Sequence, residues 1–276
     1  MNDTVEKMQK VIFKMMCDID DYCKENNIRY CLSGGTCLGA VRHQGFIPWD
    51  DDGDLMMPRP DYERFMKGFG KKYASKYGVG SLNTDKNWAM PYGRVWDLST
   101  KVHYKFLDVR GMGVFLDIFP IDGMPDKKWR QKIVIKKIKF FKILSIAAIR
   151  VRFKEEEKYR TLKRLLYPIC KLIGGHRFAR LMERQAIRYP FDSSKYVAVS
   201  MVCHYGEREI IRRKYMEKTV DLPFNGRMFP VPIGYKKYLS NLYGDYMQIP
   251  KDVAEQGYTH LTRWKIEFND EEEQQE

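Results

Sequence analysis

The sequence predicts a sheet domain of the α/β or α+β class, and three observations carry that prediction. Apolar residues recur at helical spacing in some stretches, short apolar runs closed by Gly, Pro, Asn or Asp stand between them, and the two patterns alternate through residue 122. Val5, Met8, Ile12, Met15, Met16, Ile19 and Tyr22 define the first helix, over 4–27, which Asn26-Asn27 ends. Residues 28–33 (IRYCLS) form a short strand running into a Gly-Gly turn, and 36–43 (TCLGAVRH) read as helix. A second strand lies around 53–58 (GDLMMP), and a helix starts near Pro60-Asp61 with Tyr62, Phe65, Met66 and Phe69 at its spacing. Strands are expected at 92–98, 100–106 and 113–121.

From Lys127 the character changes. Residues 127–154 hold eleven Lys or Arg (127, 128, 130, 132, 136, 137, 139, 142, 150, 152 and 154) and no acid. Ile133/Val134, Ile138, Phe141, Leu144/Ser145 and Ala148 fall three or four apart, so one helix face is apolar and its flanks are cationic, the form of a helix lying in an anionic membrane interface. The competing reading is a helix packed on the core with a solvated basic side. Residues 159–189 read as helix broken at Pro168 and at Gly174-Gly175, 219–232 as a hairpin turning at Asn-Gly, and 235–246 as a helix packed on the sheet domain or shaping a pocket. The chain therefore divides into a core over 1–126, a basic helical segment over 127–190, a C-terminal part over 191–268 that packs back on the core, and a disordered acidic tail over 269–276.

The 276 residues carry 49 Lys+Arg against 36 Asp+Glu, a formal charge of +13, which calls for an anionic partner: phosphorylated small molecules, lipid or nucleic acid. The N-terminus has no basic segment followed by an apolar run, and the longest apolar stretch, 140–149, is half a membrane span and contains Lys142. The expectation is a cytoplasmic protein. Cys17, Cys23, Cys31, Cys37, Cys170 and Cys203 lack zinc-ligand or CxxC spacing and are expected to be reduced packing residues.

Against that basic background, Asp50, Asp51, Asp52 and Asp54 crowd four carboxylates into five residues beside Pro48, Trp49, Leu55, Met56 and Met57. Like charges repel and apolar neighbours make desolvation costly, so a plain exposed turn is a poor explanation. Asp52 and Asp54, two apart on a strand, put their side chains on one face, and a hard divalent cation relieves such a pair. Just upstream, Ser33-Gly34-Gly35-Thr36 joins a strand to a helix start, where free N–H groups and the dipole suit a phosphate. Phosphate at the turn with metal beside it is an arrangement for phosphoryl transfer.

Gly-Gly-Thr followed by an Asp-x-Asp among hydrophobic residues resembles the nucleotidyltransferase (polymerase-β-like) superfamily. The longer string over 34–65, with 113–125 (GVFLDIFPIDGMP) and 231–251, resembles the LicD family, whose bacterial members transfer phosphocholine from CDP-choline to cell-surface glycans. The resemblance implies an α+β fold: a nucleotidyltransferase (polymerase-β-like) mixed-sheet catalytic core with helices, plus the basic helical lobe. It implies that Asp52 and Asp54 hold Mg²⁺ or Mn²⁺, and that Asp117, with Asp122 as fallback, supplies a third carboxylate. Ser33, Gly34, Gly35 and Thr36 would take phosphate oxygens, with Asp50 and Asp51 in outer or loop-shaping roles. Arg42 and Arg94 are candidates for phosphate contacts, each also readable as a structural ion-pair arginine. His43 is a candidate for a donor or acceptor contact, or a structural histidine. Gly53 departs from the family pattern, where a β-branched residue is usual, and is expected to loosen the strand. A quaternary ammonium head group calls for aromatic faces, for which Trp49, Trp88, Tyr92, Trp96 and Tyr104 are candidates.

The implied reaction uses a CDP-linked donor such as CDP-choline, a glycan or lipid-linked oligosaccharide acceptor, and the inner face of the cytoplasmic membrane, with no nucleic acid. Two other readings stay open at this point. One is a nucleotidyltransferase acting on nucleic acid or a small molecule; the other is a non-catalytic membrane adaptor on the same fold.

Overall fold

The structure is a computed structural model that describes residues 3–105, 107, 112–151, 160–201, 204–249 and 264–268. Within them the chain is mixed α+β. The helices are α1 (Asp3–Glu25), α2 (Gly34–His43), α3 (Arg59–Lys72), α4 (Lys128–Ala148), α5 (Arg160–Ile173), α6 (Gly175–Ala186) and α7 (Tyr235–Tyr243). The strands are β1 (Cys31–Leu32), β2 (Asp54–Pro58), β3 (Tyr77–Gly80), β4 (Gly93–Asp97), β5 (Thr100–Tyr104), β6 (Phe115–Met124), β7 (Tyr196–Ala198), β8 (Ile211–Arg212), β9 (Thr219–Phe224), β10 (Arg227–Pro232) and β11 (Trp264–Phe268).

One mixed sheet organises the molecule, in the order β1-β2-β6-β4-β3, with β7 and β8 continuing from the far half of β6. Strand β6 is its axis. It runs parallel to β2, antiparallel to β4 over Gly93–Trp96, and antiparallel to β7 over Asp122–Met124. The register sets Asp54 beside Asp117 and Asp117 beside Arg94, so three charged residues from three neighbouring strands share one row. The β9–β10 hairpin turns at Asn225-Gly226, both with positive φ (47° and 82°), as the Asn-Gly pair predicted.

The main core forms where the inner face of α1 (Met8, Ile12, Met15, Met16, Ile19) meets Leu55, Met56 and Met57 of β2, Phe65 and Phe69 of α3, and Phe224 and Phe229 of the hairpin. Burying so many large apolar side chains, each worth about 1.5–3 kcal/mol, holds the sheet against α1 and α3. Gly53 has a packing role here. A Cβ at that position would lie 2.7 Å from Ile12 Cγ2, and the Gly53 carbonyl accepts a hydrogen bond from the Asp117 amide at 2.9 Å. The glycine thus admits the close approach of α1, where the sequence suggested a loosened strand.

Two further sequence expectations need correction. Pro168 lies inside α5 without breaking it, and the break falls at Gly174, whose φ of +87° suits glycine. The helix α4 forms as expected, but the stripe assigned to lipid points into the protein. Val134, Ile135, Ile138, Ser145 and Ala148 are buried, Ile138 with Met182 of α6 and Met124 of β6 in a second core, and Ala148 with Cys170 of α5 and Phe178 of α6. The Ser145 hydroxyl lies 2.7 Å from the Ala89 carbonyl and 3.0 Å from that of Gly175, fixing the helix against both segments. Cys23, Cys31, Cys37 and Cys170 are buried free thiols and Cys17 is a half-buried one. Cys203, Arg152, Lys154 and the 269–276 tail lie outside the described residues. Among the described residues no helix is long and apolar enough to cross a membrane.

Candidate active site

The loop between α2 and β2 is pinned before it reaches the sheet. Gln9 of α1 donates its side-chain amide to the Ile47 and Asp50 carbonyls, at 3.2 and 2.8 Å. Asp51 turns inward and is buried. Asp50 and Asp52 line a cleft of about 480 Å³ together with Asp54 and Asp117. Asp52 sits ahead of β2 rather than on it, since the strand begins at Asp54.

Above these acids lies the glycine turn. Gly34 has φ +48°, and a Cβ there would come within 3.3 Å of Asp54 Oδ2; one on Gly35 would come within 2.8 Å of Asp50 Oδ2. Both glycines therefore let carboxylates stand directly against the start of α2, the end with free N–H groups and positive dipole. Thr36 is buried and its hydroxyl accepts the Asp54 amide at 2.9 Å, tying helix to strand, and the Ser33 amide donates to the Asp54 carbonyl at 3.0 Å. Tyr238 of α7 closes the turn: its hydroxyl accepts the Gly34 amide at 3.2 Å and lies 3.3 Å from Ser33 Oγ.

Asp117 is held by Arg94, whose Nε and a terminal nitrogen donate to its two oxygens at 2.5 and 3.2 Å. Arg94 also donates to the Tyr104 hydroxyl at 2.5 Å, and its guanidinium lies 3.6 Å from the centre of the Phe115 ring. Alternation along β6 sends Phe115, Asp117 and Phe119 into the cleft, while Leu116 lies beside Gly53 and Ile12 on the α1 side. Asp122, the fallback, has the other parity. It is buried in a bidentate pair with Arg59, at 2.8 and 2.6 Å, and does not line the cleft.

Charge is concentrated here at a cost. Burial first, then the Asp52 charge, raises Asp50 well above the ordinary aspartate range; burial, then Asp52, Asp117 and Asp50, does the same to Asp54, with Arg94 opposing. An all-carboxylate donor set that resists ionising alone has the chemistry a hard divalent cation satisfies. Among the described residues, no three such groups are already gathered as a closed metal-binding set. Asp117 is turned to Arg94, and Asp50 shares a hydrogen bond with Asp52. The residues fit a cation by type, and binding one requires those side chains to swing together.

The structure does not bring every candidate to the cleft. Arg42 donates to the Tyr246 and Gln248 carbonyls at 3.0 and 3.4 Å, and His43 packs edge-on against Trp49 at 6.3 Å. Trp88 and Trp96 stack at 6.2 Å and line a separate cavity of about 920 Å³, larger than the acidic cleft and without its carboxylate cluster. Of the proposed aromatic residues, Tyr92 alone lines the acidic cleft. The rest of the cleft is lined by Tyr238 and Tyr243, on the helix expected to pack on the sheet domain or shape a pocket, and by Tyr205, Glu209 and Lys142 of α4, which the sequence reading did not assign to the site. Tyr205 and Tyr243 meet edge to face at 5.4 Å. Glu209 is buried, accepts the Tyr205 amide at 3.2 Å, and is pushed by burial up to about 7, with Lys142 opposing. The only sequence signal for this part of the cleft was the clustering of acids and Tyr205 in 205–209 and the spacing of Tyr238 and Tyr243.

A carboxylate row under a glycine turn, with arginine and lysine in the same cleft, is the kind of site that handles phosphate esters. Residues 27–146, which supply the acids, the turn, Arg94 and Lys142, match the family model described as LicD/FKTN/FKRP, nucleotidyltransferase domain. Most of the chain is similar to the lipopolysaccharide cholinephosphotransferase LicD of Haemophilus influenzae, 28% identical over 256 residues, covering 90% of this chain and 93% of that protein. Shorter matches join it to uncharacterised proteins of Rickettsia typhi, 42% identical over 62 residues (22% of this chain and 20% of that protein), and Rickettsia prowazekii, 46% over 50 residues (18% and 19%). The similarity to the LicD family thus rests on residues 27–146 for the family model and on most of the chain for the Haemophilus protein.

Proposed function

We propose that this protein transfers phosphocholine, or a closely related phospho-alcohol, from a CDP-linked donor to a hydroxyl of a cell-surface glycan or its lipid-linked precursor, releasing CMP. The observation that carries the reading is the row Asp54–Asp117–Arg94 set by strand register beneath the Gly34-Gly35 turn. The similarity to a lipopolysaccharide cholinephosphotransferase along most of both chains supports the choice of substrates. The same resemblance supports a nucleotidyltransferase-type fold for the sheet core.

Asp52, Asp54 and Asp117 are the residues proposed to hold Mg²⁺ or Mn²⁺, with Asp50 beside them. When bound, such a cation draws charge from the donor diphosphate and the leaving CMP oxygen. The first turn of α2 and Lys142 are the groups proposed to orient the donor phosphates. The acceptor oxygen bonds to the phosphorus that bears choline, the bond from that phosphorus to the CMP oxygen breaks, and the hydroxyl proton passes to a cleft carboxylate. Asp117, which lines the cleft level with Asp54, is the group proposed to take it once it has turned from Arg94 toward the other acids. Thr36, committed to the Asp54 amide, is assigned a supporting role rather than a phosphate contact. Arg42, turned to backbone carbonyls, is assigned none in binding.

The Tyr205–Tyr243 pair beside Glu209 favours a cationic head group over an uncharged polyol, because ring faces and a carboxylate attract quaternary ammonium. A lipid-linked acceptor calls for a protein working at the inner face of the cytoplasmic membrane. The test is incubation with Mg²⁺ or Mn²⁺, an acceptor glycan and a panel of CDP-linked alcohols. CMP release with CDP-choline leading, and none from Asp52→Asn, is the expected result. Absence of CMP release from every CDP-linked donor would overturn the proposal.

A further inference from the structure

The helix α4 carries two apolar stripes on opposite sides, and only one has a partner within the described residues. The inward stripe, Val134, Ile135, Ile138, Ser145 and Ala148, is buried in the packing described above. On the other side Trp129, Ile133, Phe140 and Ile143 stand 56%, 42%, 58% and 61% exposed. At roughly 100° of turn per residue, these four and Lys136 fall in one strip about 80° wide, and the strip runs for about 21 Å at 1.5 Å per residue. Lys136 and Lys137 are exposed, and neither forms an ion pair among the described residues. Arg130 lies over the Trp129 ring at 5.2 Å, and the helix holds no acid from end to end. On one flank Lys132 faces Glu207 at 3.9 Å, and on the inward side Lys142 reaches the acidic cleft.

A helix face of this kind is unstable against water yet unsuited to the protein interior, because Lys136 lies in the middle of the apolar strip. Large apolar side chains that can sink a few ångströms, with long cationic side chains that snorkel to phosphate, match one environment: the headgroup boundary of an anionic bilayer. We infer that the outer face of α4, through Trp129, Ile133, Phe140 and Ile143 with Lys136 and Lys137, docks this protein on an anionic lipid surface. The face is not the one that helical spacing in the sequence selects. It adds a surface to the proposed membrane-side function, and it rests on that function only for the location of the acceptor. The same helix carries Lys142 into the acidic cleft, roughly 140° round the helix from the centre of the outer strip.

The experiment is sedimentation of the full chain with vesicles of phosphatidylcholine alone and of phosphatidylcholine mixed with phosphatidylglycerol. Wild-type protein is expected to bind the mixed vesicles at low salt and to lose affinity as salt rises. The pair Lys136→Gln/Lys137→Gln should weaken binding about 30-fold, from about a fivefold contribution of each charge near the surface. Trp129→Ser/Phe140→Ser/Ile143→Ser should reduce it to background, while Lys67→Gln/Lys71→Gln, exposed on α3, should leave it unchanged. Equal binding to uncharged vesicles, or mixed-vesicle binding that survives the triple substitution, overturns the inference. So does a wild-type dimer that the triple variant converts to monomer, or retention on RNA in place of vesicles, since either gives the face another occupant. If the triple variant is misfolded by circular dichroism, the lysine pair decides alone. CMP release from a soluble donor reads the catalytic proposal separately: it is expected to persist in every one of these variants, whichever way the vesicle result falls.

Discussion

Asp122 and Asp117 lie five residues apart on β6, and the structure gives them opposite duties that a single substitution separates. Asp122→Ala removes a carboxylate that accepts from Arg59 at 2.8 and 2.6 Å, with Asp122 side-chain exposure of 1% and Arg59 of 13%. Breaking a buried pair by deleting one partner costs about 3–5 kcal/mol, because the remaining charge is left stranded. Arg59 is not wholly stranded here: Glu63 and Glu183 stay within 3.4 and 3.5 Å, and the Tyr62 ring lies 5.2 Å away. The expected loss is therefore about 2–4 kcal/mol. At about 2–4 °C per kcal/mol for chains of this size, the melting temperature should fall by roughly 5–15 °C. Urea unfolding, thermal melting and CMP release per folded molecule form the assay. Asp122→Ala should melt early and keep its turnover below the new melting point; Asp117→Asn, which leaves the buried Arg94 short of its counter-charge, should also melt early but lose turnover even well below its melting point. If Asp122→Ala stays within about 1 kcal/mol of wild type while abolishing release, the assignment of the third carboxylate, and the register argument behind it, is wrong.

Asp54→Asn should abolish transfer and also the thermal stabilisation by Mg²⁺, which for wild type at a hundredfold excess over Kd amounts to about 2.7 kcal/mol; a variant stabilised as much as wild type would clear Asp54 of metal binding. Glu209 has its folded-state pKa raised from 4.5 to about 7, so its ionisation opposes folding as pH climbs through that window, and the effect is complete above it. Relative to Glu209→Gln, wild type should lose up to about 3 kcal/mol between pH 4.5 and 7 and nothing further above, read as the pH dependence of urea midpoints; a flat difference would show the carboxyl to be solvated. Gly35→Ala sets a Cβ 2.8 Å from Asp50 Oδ2 and should displace that flexible carboxylate, reducing turnover about tenfold or more with little change in melting, measured on the same CMP-release assay. Tyr238→Phe leaves the Gly34 amide without its acceptor and should cost about 1–2 kcal/mol in urea unfolding.

Why half of the cleft was legible in the sequence and half was not follows from chain distance. The turn Ser33–Thr36, the acids Asp50–Asp54 and Asp117 announce themselves because each breaks a local rule: glycines where a helix begins, carboxylates among Leu55, Met56 and Phe115. Their neighbourhood also follows locally, since β1 and β2 pair antiparallel and a parallel β6 brings Asp117 level with Asp54. The opposite wall breaks no rule. Tyr238 and Tyr243 sit on an amphipathic helix where aromatic packing is the ordinary expectation, and their approach to Gly34 spans some two hundred residues of chain. Arg42 and Thr36 show what spacing leaves open. Each had the right chemistry at the right spacing, yet the backbone claimed it first: Thr36 through the Asp54 amide, Arg42 through the carbonyls of Tyr246 and Gln248. Sequence spacing gives which groups are near; it does not give which bonds they have already made.

The α4 helix carries the same lesson about faces. Periodicity finds an apolar stripe but not its direction, and when a helix has two stripes the one with better spacing is the one the core takes, because close packing rewards regular apolar contacts. The residues left outside are then those whose pattern is interrupted by charge, here Ile133, Lys136 and Phe140. Interruption by lysine disqualifies a stripe for a dry core and qualifies it for a phosphate-rich boundary. On these proposals the basic excess of the chain and the acidic cluster of its cleft are compatible: Asp50, Asp52, Asp54 and Asp117 would hold cation, while Lys136 and Lys137 of α4 would face anion from a different side of the helix that carries Lys142 to the cleft.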